Sequence, residues 1–170
     1  MRDIAEHIAE ALGAGHDVVL VTGSTPRNAG SQMLVSKAGL VCGTIGGGAI
    51  EGHAITKART MVGEDTCFVE DLALRPQAPN SIGMVCGGDA VLLYVPICAE
   101  DDAWTQVASW LLKCFEQRTP AYLALECREG DSPFKGTVAL FDEQGELVAG
   151  ECSLPGRELV GLKQKRVIDG

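Results

Sequence analysis

The stretch GTIGGGAIE, residues 43–51, sets three consecutive glycines, Gly46, Gly47 and Gly48, between an apolar run and a helix-like pattern. Glycine adopts backbone angles closed to other residues, and a helix start exposes unpaired N–H groups. A strand, a glycine run and a helix start therefore make a ready anion site. The standard phosphate fingerprints do not fit, however. With Gly46 and Gly48 as the first two glycines of GxGxxG, Glu51 falls where a small residue belongs, and no GxxxxGK[ST] is present. Close packing of backbone against backbone is the competing reading. Glu51 has two readings as well. It can favour the helix dipole, or it can meet the donor-rich part of a ligand, because beside a phosphate it would repel.

Around this run the chain alternates short apolar stretches with helical periodicity. Residues 2–14 carry Ile4, Ile8 and Leu12 on one helical face, with Gly13 and Gly15 as a stop. HDVVLVTG (16–23) reads as a buried strand, and SQMLVSKAGLVCGTIG (31–46) as a hairpin turning at Lys37–Gly39. From Gly48 to Val62 the apolar positions recur at helical spacing, and CFVEDLAL (67–74) and DAVLLYVPI (89–97) read as strands. The spacing of Trp104, Val107, Ala108, Leu111, Leu112 and Phe115 predicts a helix near 101–117. PAYLALECR (120–128) is strand-like, and 136–150 reads as a second hairpin turning at Asp142–Gly145. The expectation is an α/β chain of α+β mixed type. It would have one domain over 1–150, a mixed sheet with hairpins and about three packing helices, and a tail or short helix over 151–170.

Composition narrows the function. A net charge of -9 argues against a general grip on nucleic acid or an anionic membrane. No apolar stretch is long enough for a membrane span, and the opening MRDIAEHIAE lacks a signal-peptide core. A cytoplasmic protein is expected. The seven cysteines are odd in number and lack CxxC spacing, so reduced thiols are expected rather than a disulfide framework or zinc cage. Cys42, Cys67, Cys98, Cys114 and Cys127 read as small buried hydrophobes, and Cys152 is unassigned. His7, His16 and His53 form no metal-binding pattern.

Two further stretches look chemical. In GSTPRNAG (23–30), the turn formers Gly23, Ser24 and Gly30 surround Arg27, a loop able to offer N–H groups and a guanidinium to a phosphate. On composition alone an ordinary turn with a solvated arginine is favoured. In GMVCGG (83–88), Gly87 and Gly88 follow Cys86, leaving its thiol accessible and amide-flanked, which favours a thiolate.

In this order and spacing, GSTPRNAGSQMLV, GTIGGGAIE and GMVCGG resemble the xanthine dehydrogenase accessory factor family, XdhC/CoxI, over about residues 16 to 96. The resemblance implies a cytoplasmic accessory protein that binds the molybdenum cofactor, assists its sulfuration and delivers it to a xanthine dehydrogenase-type molybdenum hydroxylase. Cys86 would then be the thiol tied to cofactor binding or sulfuration and a ligand to the cofactor molybdenum. Gly23, Ser24, Arg27, Gly30, Gly46, Gly47, Gly48, Glu51, Gly87 and Gly88 would shape the pocket. A cysteine desulfurase is a further expected partner, and a homo-oligomer the expected state. Many members also carry a C-terminal Rossmann-type domain, whose glycine motif is not seen after residue 130. The chain is read as a short member, a truncated piece, or the partner of a separate chain. Two alternatives remain open: a cysteine-dependent sulfur-relay or oxidoreductase enzyme using Cys86, and a docking module without cofactor.

Overall fold

A computed structural model of the chain describes residues 1–25, 28–73, 89–127, 135–153 and 155–160. In chain order the elements are α1 (Arg2–Gly13), β1 (Val18–Thr25), β2 (Asn28–Ser36), β3 (Gly39–Thr44), α2 (Gly48–Met61), β4 (Phe68–Ala73), β5 (Asp89–Ile97), α3 (Asp102–Gln117), β6 (Ala121–Glu126), β7 (Thr137–Asp142) and β8 (Leu147–Gly150). A short 3-10 turn follows at Gly156–Glu158, within the segment expected to be a tail or short helix.

The α+β class is the one expected. The strands divide between two sheets, ordered β3-β2-β1-β5-β4 and β6-β7-β8. Every pairing in them is antiparallel. Hydropathy predicts strands one at a time and carries no signal for which strands share a sheet.

The larger sheet is covered on both faces, which explains the unbroken apolar run in β1. Val18 and Leu20 join a core with α1, α3 and the smaller sheet, while Val19 and Val21 join a second core under α2. Strands buried on both faces read as continuous apolar runs rather than alternating ones. Helix α3 has a strong start. The Asp101 carboxylate accepts from the N–H groups of Ala103 (3.0 Å) and Trp104 (3.3 Å), two of the four donors a helix N-terminus leaves open. Its end is marked by Arg118 in the left-handed region (φ 56°). Trp104 is only 2% exposed and anchors α3 in the first core.

The cysteine expectation is corrected. Cys67 and Cys127 form a disulfide with Cα atoms 6.1 Å apart, across a sequence separation of 60. Cys67 stands just before β4 and Cys127 just after β6, so the bond joins the edges of the two sheets. Spacing could not reveal a pair whose nearness depends on how two sheets stack. Cys42, Cys98 and Cys114 are free thiols, half-buried rather than fully buried, and Cys152 is half-buried too. Burial, then neighbouring acids, push the Cys42 and Cys98 thiols up, so both resist forming a thiolate.

Candidate functional site

The described parts of GSTPRNAG and GTIGGGAIE, and the two strand ends that flank the segment containing GMVCGG, lie at one end of the five-stranded sheet. Because all neighbours are antiparallel, the pairs Ser24↔Ala29, Gln32↔Thr44, Ser24↔Val91 and Ala73↔Asp89 set five strand termini at the same end. The β1–β2 turn, the exit from β3 into the glycine run, and both ends of the β4–β5 connection lie there. That connection contains Cys86, Gly87 and Gly88 in sequence. These three residues, and Arg27, lie outside the described residues.

Gly23 joins the first two stretches physically. A Cβ built on it would lie 3.1 Å from Ser31 Oγ and 3.2 Å from Ile45 Cβ. Ile45, 1% exposed, immediately precedes the glycine run. Here glycine permits close approach. Opposite it, Gly30 is the extra residue of a bulge, since Gly23 pairs with Ser31 while Ser24 pairs with Ala29. Its φ of 88° is the left-handed conformation such bulges favour. The bulge bends β2 where it enters the turn carrying Arg27 in sequence.

The glycine run itself is not a packing device. Gly46, Gly47 and Gly48 have φ of 129°, 75° and 65° in succession, and added Cβ atoms would meet no described atom within 4 Å. Among the described residues it is conformation, not contact, that requires glycine here. The backbone is locked by Glu51. Its Oε2 accepts the Thr44 hydroxyl and the Gly47 N–H (3.3 Å), while Thr44 Oγ1 accepts the Gly46 N–H (3.2 Å). Glu51 thus reaches back four residues to the N-cap amide, one position later than the glutamate of a capping box. Gly48 and Ala49 begin α2, so their N–H groups have no intrahelical acceptor and lie at the positive end of the helix dipole. Among the described residues, Oε1 of Glu51 has no partner.

One polar atom beside this end was not singled out from sequence. Thr22 is 3% exposed, and its hydroxyl has no hydrogen-bond partner among the described residues. A buried hydroxyl left unpaired costs about 1–3 kcal/mol. Thr22 pairs with Gln32, which pairs with Thr44, so the three share one face across β1, β2 and β3, the face of Val18 and Leu20 rather than the face under α2. The sequence signal was present: Thr22 is a polar residue inside the apolar run VVLVTG.

A second missed cluster lies between α2 and the sheet. The Tyr94 hydroxyl donates to Glu70 Oε2 (2.8 Å), and His53 Nε2 lies 3.0 and 3.1 Å from the two Glu70 oxygens. Tyr94 is fully buried, so the carboxylate supplies an acceptor it cannot take from water. Burial first, and Glu70 second, hold the Tyr94 hydroxyl well above the ordinary tyrosine range. The unfolded chain therefore loses this proton near pH ~10 while the folded chain keeps it. Stability from this group is complete below pH ~10 and falls as the pH rises further. Urea midpoints measured from pH 8 to 11 should drop more steeply for the wild type than for Tyr94→Phe. Parallel slopes would remove Tyr94 as the source.

Comparisons with known proteins bear on the sequence pattern and the fold. Residues 3–71 match the model of the XdhC and CoxI family. Residues 3–71 carry the XdhC/CoxI pattern. That stretch includes β1, the β1–β2 turn, the glycine run, Glu51 and His53, and it ends before GMVCGG. The fold is similar to that of a crystal structure described as a xanthine dehydrogenase from Bacillus halodurans. The identity is 18% and the TM-score 0.68, over 96% of this chain and 49% of that one. At that identity the likeness shows the fold, and the chain spans about half of that structure's length. No curated protein matches the chain. The XdhC/CoxI resemblance read from the glycine motifs is thus supported where those motifs are densest. Among the described residues no helix is long and apolar enough to cross a membrane.

Proposed function

We propose that this protein is an accessory factor of the xanthine dehydrogenase type, holding molybdenum cofactor at the glycine-run end of the larger sheet while the cofactor is sulfurated and handed to a molybdenum hydroxylase. The observation that carries the reading is the glycine run. Three residues at positive φ, with no described atom within 4 Å of an added Cβ, lead into the start of α2, whose first amides lack intrahelical acceptors. The cofactor is a pterin dithiolene with a phosphate, and the residues present fit its parts. The Gly48 and Ala49 N–H groups suit the phosphate, joined by Arg27 from the β1–β2 turn. Oε1 of Glu51 suits a pterin N–H donor. Gly23, Ser24 and Gly30 shape the β1–β2 side of the site. Cys86, flanked by Gly87 and Gly88, is assigned the thiol that meets molybdenum or its sulfur. When bound, the cofactor supplies the oxidation chemistry of the client enzyme, whereas this chain binds, orients and shields it.

The proposed setting is the cytoplasm, with the hydroxylase and a cysteine desulfurase as partners and a homo-oligomer as the working state. Protein made in a molybdenum-replete host is expected to copurify with molybdenum and with pterin fluorescence. Cys86→Ala should lose at least tenfold of the molybdenum, a difference of about 1.4 kcal/mol. Equal loading of both proteins would remove Cys86 from the mechanism. Docking of a hydroxylase by a protein that loads neither molybdenum nor pterin would favour a cofactor-free docking module instead.

A further inference from the structure

We propose that Cys67–Cys127 is a thiol–disulfide exchange site, opened by a dithiol reductant, that controls how firmly β4 is held against the smaller sheet. The proposal is independent of the cofactor reading. The two cysteines sit at a seam. β4 is the edge strand of the larger sheet and pairs only with β5, while β6 is an edge strand of the smaller sheet and pairs only with β7. The smaller sheet packs on α3 through β7 and β8 rather than on β4. The disulfide is therefore the covalent tie across an edge where packing is thin.

Its surroundings leave the sulfurs reachable. Both cysteines are half-buried, unlike the fully buried cores on either side. The pair rests on bare backbone at Gly136, where a Cβ would come within 3.2 Å of Cys67 Cβ and 3.5 Å of Cys67 Sγ. Reachable disulfides exchange, whereas sealed structural ones resist the glutathione pool.

The exchange balances without further reagents. A dithiol attacks one sulfur as its thiolate, forming a mixed disulfide, and the other cysteine leaves as a thiolate and takes up a proton. The second thiol of the reagent then displaces the first cysteine, which is protonated in turn. Two electrons and two protons pass to Cys67 and Cys127, and the dithiol becomes a disulfide. Opening frees the start of β4 and the end of β6 from one another. β4 is also the strand from which the chain runs on to residues 74–88.

The full-length wild-type chain is the primary sample, so the test does not depend on a variant folding. It is equilibrated in buffers of dithiothreitol, a dithiol, ranging from mostly oxidised to mostly reduced, then alkylated and read by mass spectrometry at Cys67 and Cys127. Hydrogen exchange is followed in parallel. The expected result is opening in the mostly reduced buffer, with exchange in β4 and β6 faster by about tenfold or more and β1 and β2 unchanged. Cys67→Ser/Cys127→Ser should reproduce the reduced pattern in any buffer. A pair that stays oxidised in the mostly reduced buffer, or that opens with no change in β4 exchange, would overturn the proposal.

Discussion

Gly43→Ala is expected to lower the unfolding midpoint by roughly 6–12 °C, for a loss of about 3 kcal/mol. Two independent terms add at this position. Gly43 has φ 81°, and forcing an L-residue there costs about 1–2 kcal/mol. An added Cβ would also lie 2.3 Å from the Gln32 carbonyl oxygen and 2.9 Å from Met33 Cα, overpacking worth about 1–3 kcal/mol more. Gly39→Ala is the control. Its φ is 135° but its Cβ would meet no described atom within 4 Å, so only the backbone strain should appear. Thermal scans of both variants check this. A Gly43→Ala shift no larger than that of Gly39→Ala would mean that β3 does not lie against β2 as described. The position matters because β3 delivers Thr44 and the glycine run to the site.

The second large effect is expected at the run itself. Replacing Gly46, Gly47 and Gly48 together by alanine adds no clash with any described residue. It does place three residues at positive φ, at about 1–2 kcal/mol each. The run should therefore relax to another conformation, breaking the Gly47 N–H bond to Glu51 and the Gly46 N–H bond to Thr44. Pterin affinity is expected to fall at least a hundredfold, about 2.7 kcal/mol, while the amide signals of β1, β2 and β5 keep their pattern. Unchanged affinity with the alanine run in place would separate these amides from the ligand.

Much of this site was legible in the sequence, for identifiable reasons. Consecutive glycines at a helix start have few uses, so GTIGGGAIE stood out before any fold was known. The choice between close packing and open amides was not legible, because it depends on what lies opposite the run. Among the described residues nothing lies within 4 Å of a Cβ on the run, and the close packing is at Gly43 and Gly23 instead. The place of Glu51 in a first helical turn follows from local periodicity, but its hold on Gly47 and Thr44 depends on where β3 ends. Thr22 and the His53–Glu70–Tyr94 cluster escaped because each draws on strands far apart in sequence. The Cys67–Cys127 bond escaped for the same reason. Helices and hairpins followed from local periodicity, whereas the division into two sheets is a long-range choice that no local pattern encodes.

The central claim is that the glycine-run end of the larger sheet holds the cofactor. Its most direct test is to add molybdenum cofactor, released anaerobically from a molybdoenzyme, to isotope-labelled protein and follow the backbone amide signals. The account expects saturable shifts concentrated at Gly46, Gly47, Gly48 and Ala49, with a smaller one at Ser24, and none on the far side of α3. Saturable binding that leaves those amides unmoved would contradict it.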